Sequence, residues 1–151
     1  MTFEEYLRMA EAGDVKAQLA VALCYARGSA VAHDPAAAVK WFRKAADQGD
    51  PWGQFSLGLC YQDGYLVDKD QAEAVRWYRR GAQQRDAGCQ FALGVCYEKG
   101  LGILKDQVEA YAYYNLAAVT NDNARSHRDI LERQLTPEAR LRGQQRAREL
   151  Q

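Results

Sequence analysis

The chain has 151 residues, 48% of them hydrophobic, and sets 20 Lys plus Arg against 20 Asp plus Glu. That length supports one ordinary domain with a real core. Zero net charge argues against a nucleic-acid partner held by phosphate neutralisation and against a polybasic membrane-surface role, and with no run of 18 apolar residues a helical membrane span is excluded.

The opening MTFEEYLRMAEAGD carries acids where a secretory leader would carry bases. The expectation is therefore a cytoplasmic protein, or a periplasmic one if a leader was removed. Residues 1–13 read as one helix, with Tyr6 and Met9 on its apolar face. VALCYARG at 21–28 then returns as LGLCYQDG at 57–64 and as LGVCYEKG at 93–100, a step of 36 residues. Three full units follow from that step, at 14–49, 50–85 and 86–121, each with two helical patterns. In the first, a helix ends at Gly28 and Asp34-Pro35 opens the next. In the second, Asp50-Pro51 is an N-cap followed by an N1 proline. Gly64 stops that helix, YLVDKD turns, and Asp70 with Glu73 predicts a capping box. In the third, Asp86 and Gly100 bound one helix, and Asp106 with Glu109 predicts a second box. Residues 122–151 are predicted to form capping helices, the last opened by Thr136 as cap and Pro137 at N1. No segment alternates with period two, so the sequence predicts about nine helices and no strand.

Many columns share the 36-residue step. Gln18, Gln54 and Gln90 form one; Tyr25, Tyr61 and Tyr97 another. Asp34, Asp70 and Asp106 recur, as do Ala38, Ala74 and Ala110, then Trp41, Trp77 and Tyr113. Gly58 and Gly94, with Ala22 in the first unit, sit where a paired helix must approach closely. A single such hairpin cannot bury both faces, so neighbours must stack.

The four cysteines, Cys24, Cys60, Cys89 and Cys96, are expected to be reduced thiols. Cys89 and Cys96 lie roughly 10 Å apart along one helix at 1.5 Å per residue, and equivalent positions on stacked helices are about 8–10 Å apart. A disulfide needs Cα atoms within about 7 Å. Three of the four share one repeat column, which suits a small, slightly apolar side chain.

The pattern A…LG.CY..G……D…A..W/Y…A resembles the Sel1-like repeat, a cousin of the tetratricopeptide repeat. Leu57, Gly58, Tyr61, Gly64, Asp70, Ala74, Trp77, Ala82 and their counterparts carry it. The resemblance spans about residues 1–135, and the LTPE turn at 135–138 resembles the terminal unit of bacterial Sel1 proteins. It implies an all-α, right-handed superhelical solenoid forming a single repeat domain over 1–151. Arg140, Arg142, Arg146 and Arg148 are then expected to face solvent on a polar terminal cap, rather than to form a basic docking site.

Proteins of this kind are mostly scaffolds or adaptors that bind a protein or peptide along a concave groove. Carried over residue by residue, the resemblance assigns Leu19, Leu23, Arg27, Trp52, Phe55, Leu59, Asp63, Phe91, Val95, Glu98, His127 and Leu131 to that surface, with an apolar centre and a charged rim. Phe55 and Phe91 share a column, so they read equally as packing residues. Trp52 does not: its column holds Lys16, Gly88 and Ala124, so the repeat requires no aromatic there, and aromatics dominate binding hot spots. The alternative reading is a regulatory subunit of, or ligand-delivery module for, a bacterial envelope or peptidoglycan enzyme. The expected state is a monomer or weak homodimer.

Catalysis is not expected. His33 sits in a turn, His127 with Asp129 lacks a placed nucleophile because Ser126 points away, and no metal-ligand spacing or phosphate loop occurs. No cofactor and no metal are predicted.

Overall fold

Short acidic side chains open the repeat helices as the sequence indicates. Asp14, Asp50 and Asp86 each accept from a backbone N–H three residues on, at 2.7, 2.7 and 2.9 Å, satisfying donors that a helix start otherwise leaves bare. Gly28, Gly64 and Gly100 close those helices with φ of 69°, 69° and 70°, a left-handed conformation that costs glycine little. The computed structural model describes all 151 residues. It contains nine α-helices and no strand, in two compact units, Met1–Asp70 and Gln71–Gln151. No helix is long and apolar enough to cross a membrane.

The first unit holds α1 (Phe3–Glu11), α2 (Val15–Arg27), α3 (Pro35–Asp47) and α4 (Pro51–Asp63), each packed on the next. Val21, Ala22, Ala38, Trp41, Phe42 and Ala45 form part of its buried interior. The glutamine column has a physical purpose. Gln18 is buried and its Nε2 donates to the Ala10 carbonyl at 3.1 Å; Gln54 does the same to Ala46 at 3.2 Å. Each reaches back to a carbonyl in the last turn of the preceding helix that also accepts a backbone N–H, from Gly13 and Gly49 respectively, and so supplies it with a second donor. The tyrosine column closes the turns: the carbonyls of Tyr25 and Tyr61 accept from the backbone N–H of Asp34 and Asp70.

The second unit holds α5 (Gln71–Gln83), α6 (Ala87–Lys99), α7 (Gln107–Ala117), α8 (Asp122–Gln134) and α9 (Pro137–Leu150). Helix α6 packs on α5, and α7 packs against α6, α8 and α9. Tyr111, Tyr114, Leu131 and Leu135 make a shared core there. Gly94 is needed beneath Tyr114, because a Cβ at that position would lie 2.7 Å from the ring's Cε1. Gly143 of α9 seats Tyr111 in the same way, with 2.5 Å left to Cδ1.

Two local expectations fail in this unit. Asp106 caps α7, yet no reciprocal box forms with Glu109: the Asp106 N–H already donates to the Tyr97 carbonyl at 2.9 Å, and Glu109 pairs with Arg146 at 2.6 Å. The reciprocal box appears instead at Thr2 and Glu5. The four arginines of α9 also differ among themselves. Arg142 and Arg148 are exposed. Arg146 takes that ion pair, and Arg140 donates to the Leu135 carbonyl at the end of α8. Both pin α9 onto the unit rather than only solvating it.

Candidate functional site: an apolar pocket in the first unit

The C-terminal part of α2, Phe42 of α3, one side of α4 from Trp52 to Cys60 and the turn after Gly64 enclose a pocket of about 230 Å³. Leu23 and Leu59 supply aliphatic walls, Phe42 lies at its base, and Trp52, Tyr65 and Arg27 stand at its edge. Trp52 is half exposed at 45% because it sits at the opening of α4, where one face looks outward. Its other face meets the buried Phe42 ring, with centroids 6.2 Å apart. Tyr65 is held across the mouth by its hydroxyl, which donates to the Ala26 carbonyl at 3.3 Å. His33 Nδ1 lies 3.0 Å from the same oxygen. The Cys60 thiol borders the pocket, and burial, with nearby Asp63 adding to it, pushes its pKa up to about 11. It is a neutral, poorly nucleophilic group at physiological pH.

Four of the residues assigned from the sequence, Leu23, Arg27, Trp52 and Leu59, therefore meet in one place. Leu19, Phe55 and Asp63 belong to the same unit but lie outside the pocket lining. Sequence reasoning missed Phe42 and Tyr65. A signal existed for each. Phe42 heads an aromatic column with Tyr78 and Tyr114, all three of them buried. Tyr65 is an aromatic in a column otherwise filled by Ser29 and Leu101.

The assigned residues of the second unit are arranged differently. Phe91 and Val95 pack against the Tyr111–Tyr114 core. Phe91 meets His127 edge-on with centroids 5.1 Å apart, and His127 also contacts the Tyr114 ring. These rings largely satisfy one another. Leu131 is 1% exposed and is a core residue with no surface to offer a partner; the turn that seats α9 covers it through Leu135 and Ala139. The Tyr114 hydroxyl is buried without a hydrogen bond. Burial, and then the charge of the half-buried Glu98, hold that phenol well above its ordinary pKa. No group of three or more His, Cys, Asp or Glu side chains is arranged to hold a metal ion, and all four cysteines are free.

A family model described as the Sel1 repeat matches residues 15–50, 53–86 and 87–118. Among solved structures, a Sel1 repeat protein from Oxalobacter formigenes matches with a TM-score of 0.75 and 34% identity, over 81% of this chain and 50% of that one. A second is c5321, a protective antigen present in uropathogenic Escherichia coli strains and displaying an SLR fold, with a TM-score of 0.73 and 28% identity over 98% of this chain and 40% of that one. The chain thus spans half or less of the length of these two neighbours. No curated protein matches it. Matched by three repeats over more than half its length, this chain belongs to the Sel1 repeat family, and its fold is an all-α solenoid of helix pairs.

Proposed function

We propose that this protein is an interaction module whose first unit receives one bulky apolar side chain of a partner polypeptide in the Trp52 pocket. Sel1 repeats generally serve as non-catalytic protein-interaction scaffolds, which supports the class of function. The observation that carries the finer reading is the meeting of Trp52, Leu23, Leu59 and Tyr65 around one opening. Trp52, Leu59 and Tyr65 are all substantially exposed for their size. Large exposed apolar side chains gathered in one patch mark interaction surfaces, whereas single ones need no explanation. At about 230 Å³ the space is smaller than the roughly 300–1,000 Å³ of drug-sized ligand sites, which favours a side chain over a free metabolite.

The test is selection of peptides from a random library displayed on phage, using the full chain as bait, followed by affinity measurement on amidated synthetic peptides. Trp52→Ala is expected to weaken the selected peptides at least tenfold, about 1.4 kcal/mol. Leu59→Arg should do the same by filling the opening with charge. Circular dichroism should show both variants folded, since both side chains lie at the surface. Peptides that bind both variants as well as the parent chain would overturn the reading.

A further inference from the structure

Three residues at the pocket are ones the repeat does not ask for. The column of Trp52 holds Lys16 and Gly88, that of Tyr65 holds Ser29 and Leu101, and that of Arg27 holds Asp63 and Lys99. Periodic columns serve packing; Trp52 and Tyr65 depart from their columns, Arg27 stands in a column with no fixed residue, and all three line one opening. Two of them explain an apolar occupant. The third, Arg27, is the only charged side chain in the lining. It is exposed at the end of α2, and no carboxylate of the chain pairs with it.

We infer that the partner is an acidic peptide segment, in which an Asp or Glu adjacent to the bulky apolar residue pairs with Arg27 while the apolar side chain enters beside Trp52. This inference rests on the pocket reading above and adds the charge of the ligand. The physical basis is complementarity at a lip. A guanidinium offers five donors in a planar fork that fits a carboxylate. An ion pair at the edge of an apolar pocket is partly desolvated, so it is screened less than one on open surface, and it selects partners by charge more than it adds raw affinity.

A side-chain carboxylate is favoured over a chain terminus. Capture of a terminal carboxylate uses a nest of free backbone N–H groups. Beside Arg27 those groups are occupied: the N–H groups of Gly28 and Ser29 both donate to the Cys24 carbonyl. With a single cation in the lining and the amides of Gly28 and Ser29 already taken, the lip suits an acidic side chain in the middle of a segment.

The experiment is the same library selection, run in parallel on the parent chain and on Arg27→Glu, with amidated synthetic peptides for measurement. From the parent chain, the selected peptides should carry Asp or Glu next to the apolar anchor. Replacing that acid by Asn should weaken binding five- to tenfold, and replacing it by Lys should weaken it further. Arg27→Glu should reverse the preference, selecting Lys or Arg beside the same anchor. Raising NaCl from 50 to 500 mM should erase most of the acid–Asn difference. Peptides dependent on Trp52 but showing no acidic bias, or an unchanged preference in Arg27→Glu, would overturn this inference and leave the pocket standing. A preference for a free C-terminus over an amidated one would overturn it in favour of terminal capture. A selection that returns no peptide sensitive to Trp52→Ala would overturn both.

Discussion

Single atoms decide how closely the helices of this protein approach. Gly94 has no side chain because the Tyr114 ring occupies the place where one would be, 2.7 Å and 2.8 Å from a built Cβ. Alanine ordinarily favours a helix over glycine by about 1 kcal/mol. Here that gain is opposed by overpacking against a ring with no exposed surface, and forced overpacking costs about 1–3 kcal/mol. Gly94→Ala is therefore expected to destabilise by up to about 2 kcal/mol, read as a lower urea midpoint with an unchanged slope. A stabilised variant would show that Tyr114 has room to turn aside. The buried glutamines act at the same scale, because Gln18 and Gln54 serve carbonyls eight residues back rather than making ordinary surface contacts.

At the scale of elements, α9 is the instructive case. Its composition is polar, and only Ala139, Gly143 and Ala147 are buried, so little apolar area holds it. What it has instead is shape and charge: Gly143 admits Tyr111, and Arg146 reaches the Glu109 carboxylate, which is only 18% exposed against 41% for the arginine. The Glu109 hydrogen bond, ahead of the desolvation that opposes it, holds the Arg146 guanidinium above its usual range. Gly143→Ala is expected to loosen α9 and, after the same helix-propensity gain, to cost up to about 2 kcal/mol. Arg146→Ala should cost about 1 kcal/mol, as for a partly screened pair. Hydrogen exchange along 137–150 separates the two outcomes: protection should fall most in Gly143→Ala, and equal protection in all three proteins would refute the packing role.

Across the whole molecule, the buried thiols and phenols make stability depend on alkaline pH. Burial raises Cys60 and Cys96 from the ordinary 9.0 to about 11, and raises Cys89 as well. Tyr111, Tyr113 and Tyr114 are shifted upward too, each chiefly by burial. The folded chain holds these groups neutral, whereas the unfolded chain releases their protons sooner. The stability they contribute is thus fully present below pH 9 and is lost as pH rises through about 11. The urea midpoint should decline across that window, and less steeply in a Cys60→Ala, Cys96→Ala double variant. Identical declines would assign the effect to other groups.

The one-dimensional pattern was enough to read nearly all of the fold, since helix caps, glycine stops and a 36-residue step are local or periodic properties. Gly28, Gly64 and Gly100 end their helices where the spacing said they must, because positive φ is written into the residue itself. The pocket was half legible. Trp52 was visible as an aromatic its column did not need, and Leu23, Leu59 and Arg27 followed from the register. Tertiary structure alone decided the rest. Leu131 was assigned to a surface by the same register, yet it is buried, because α9 folds back on α7 instead of continuing the repeat. Glu109 was assigned to a capping box but found Arg146, 37 residues away in the chain. Tyr65 closes the pocket by bonding a carbonyl 39 residues distant. Periodicity determines which residues are equivalent; it carries no information about where the period is broken, and Trp52 and Tyr65, which shape the candidate site beside periodic Leu23, Leu59 and Phe42, are such breaks.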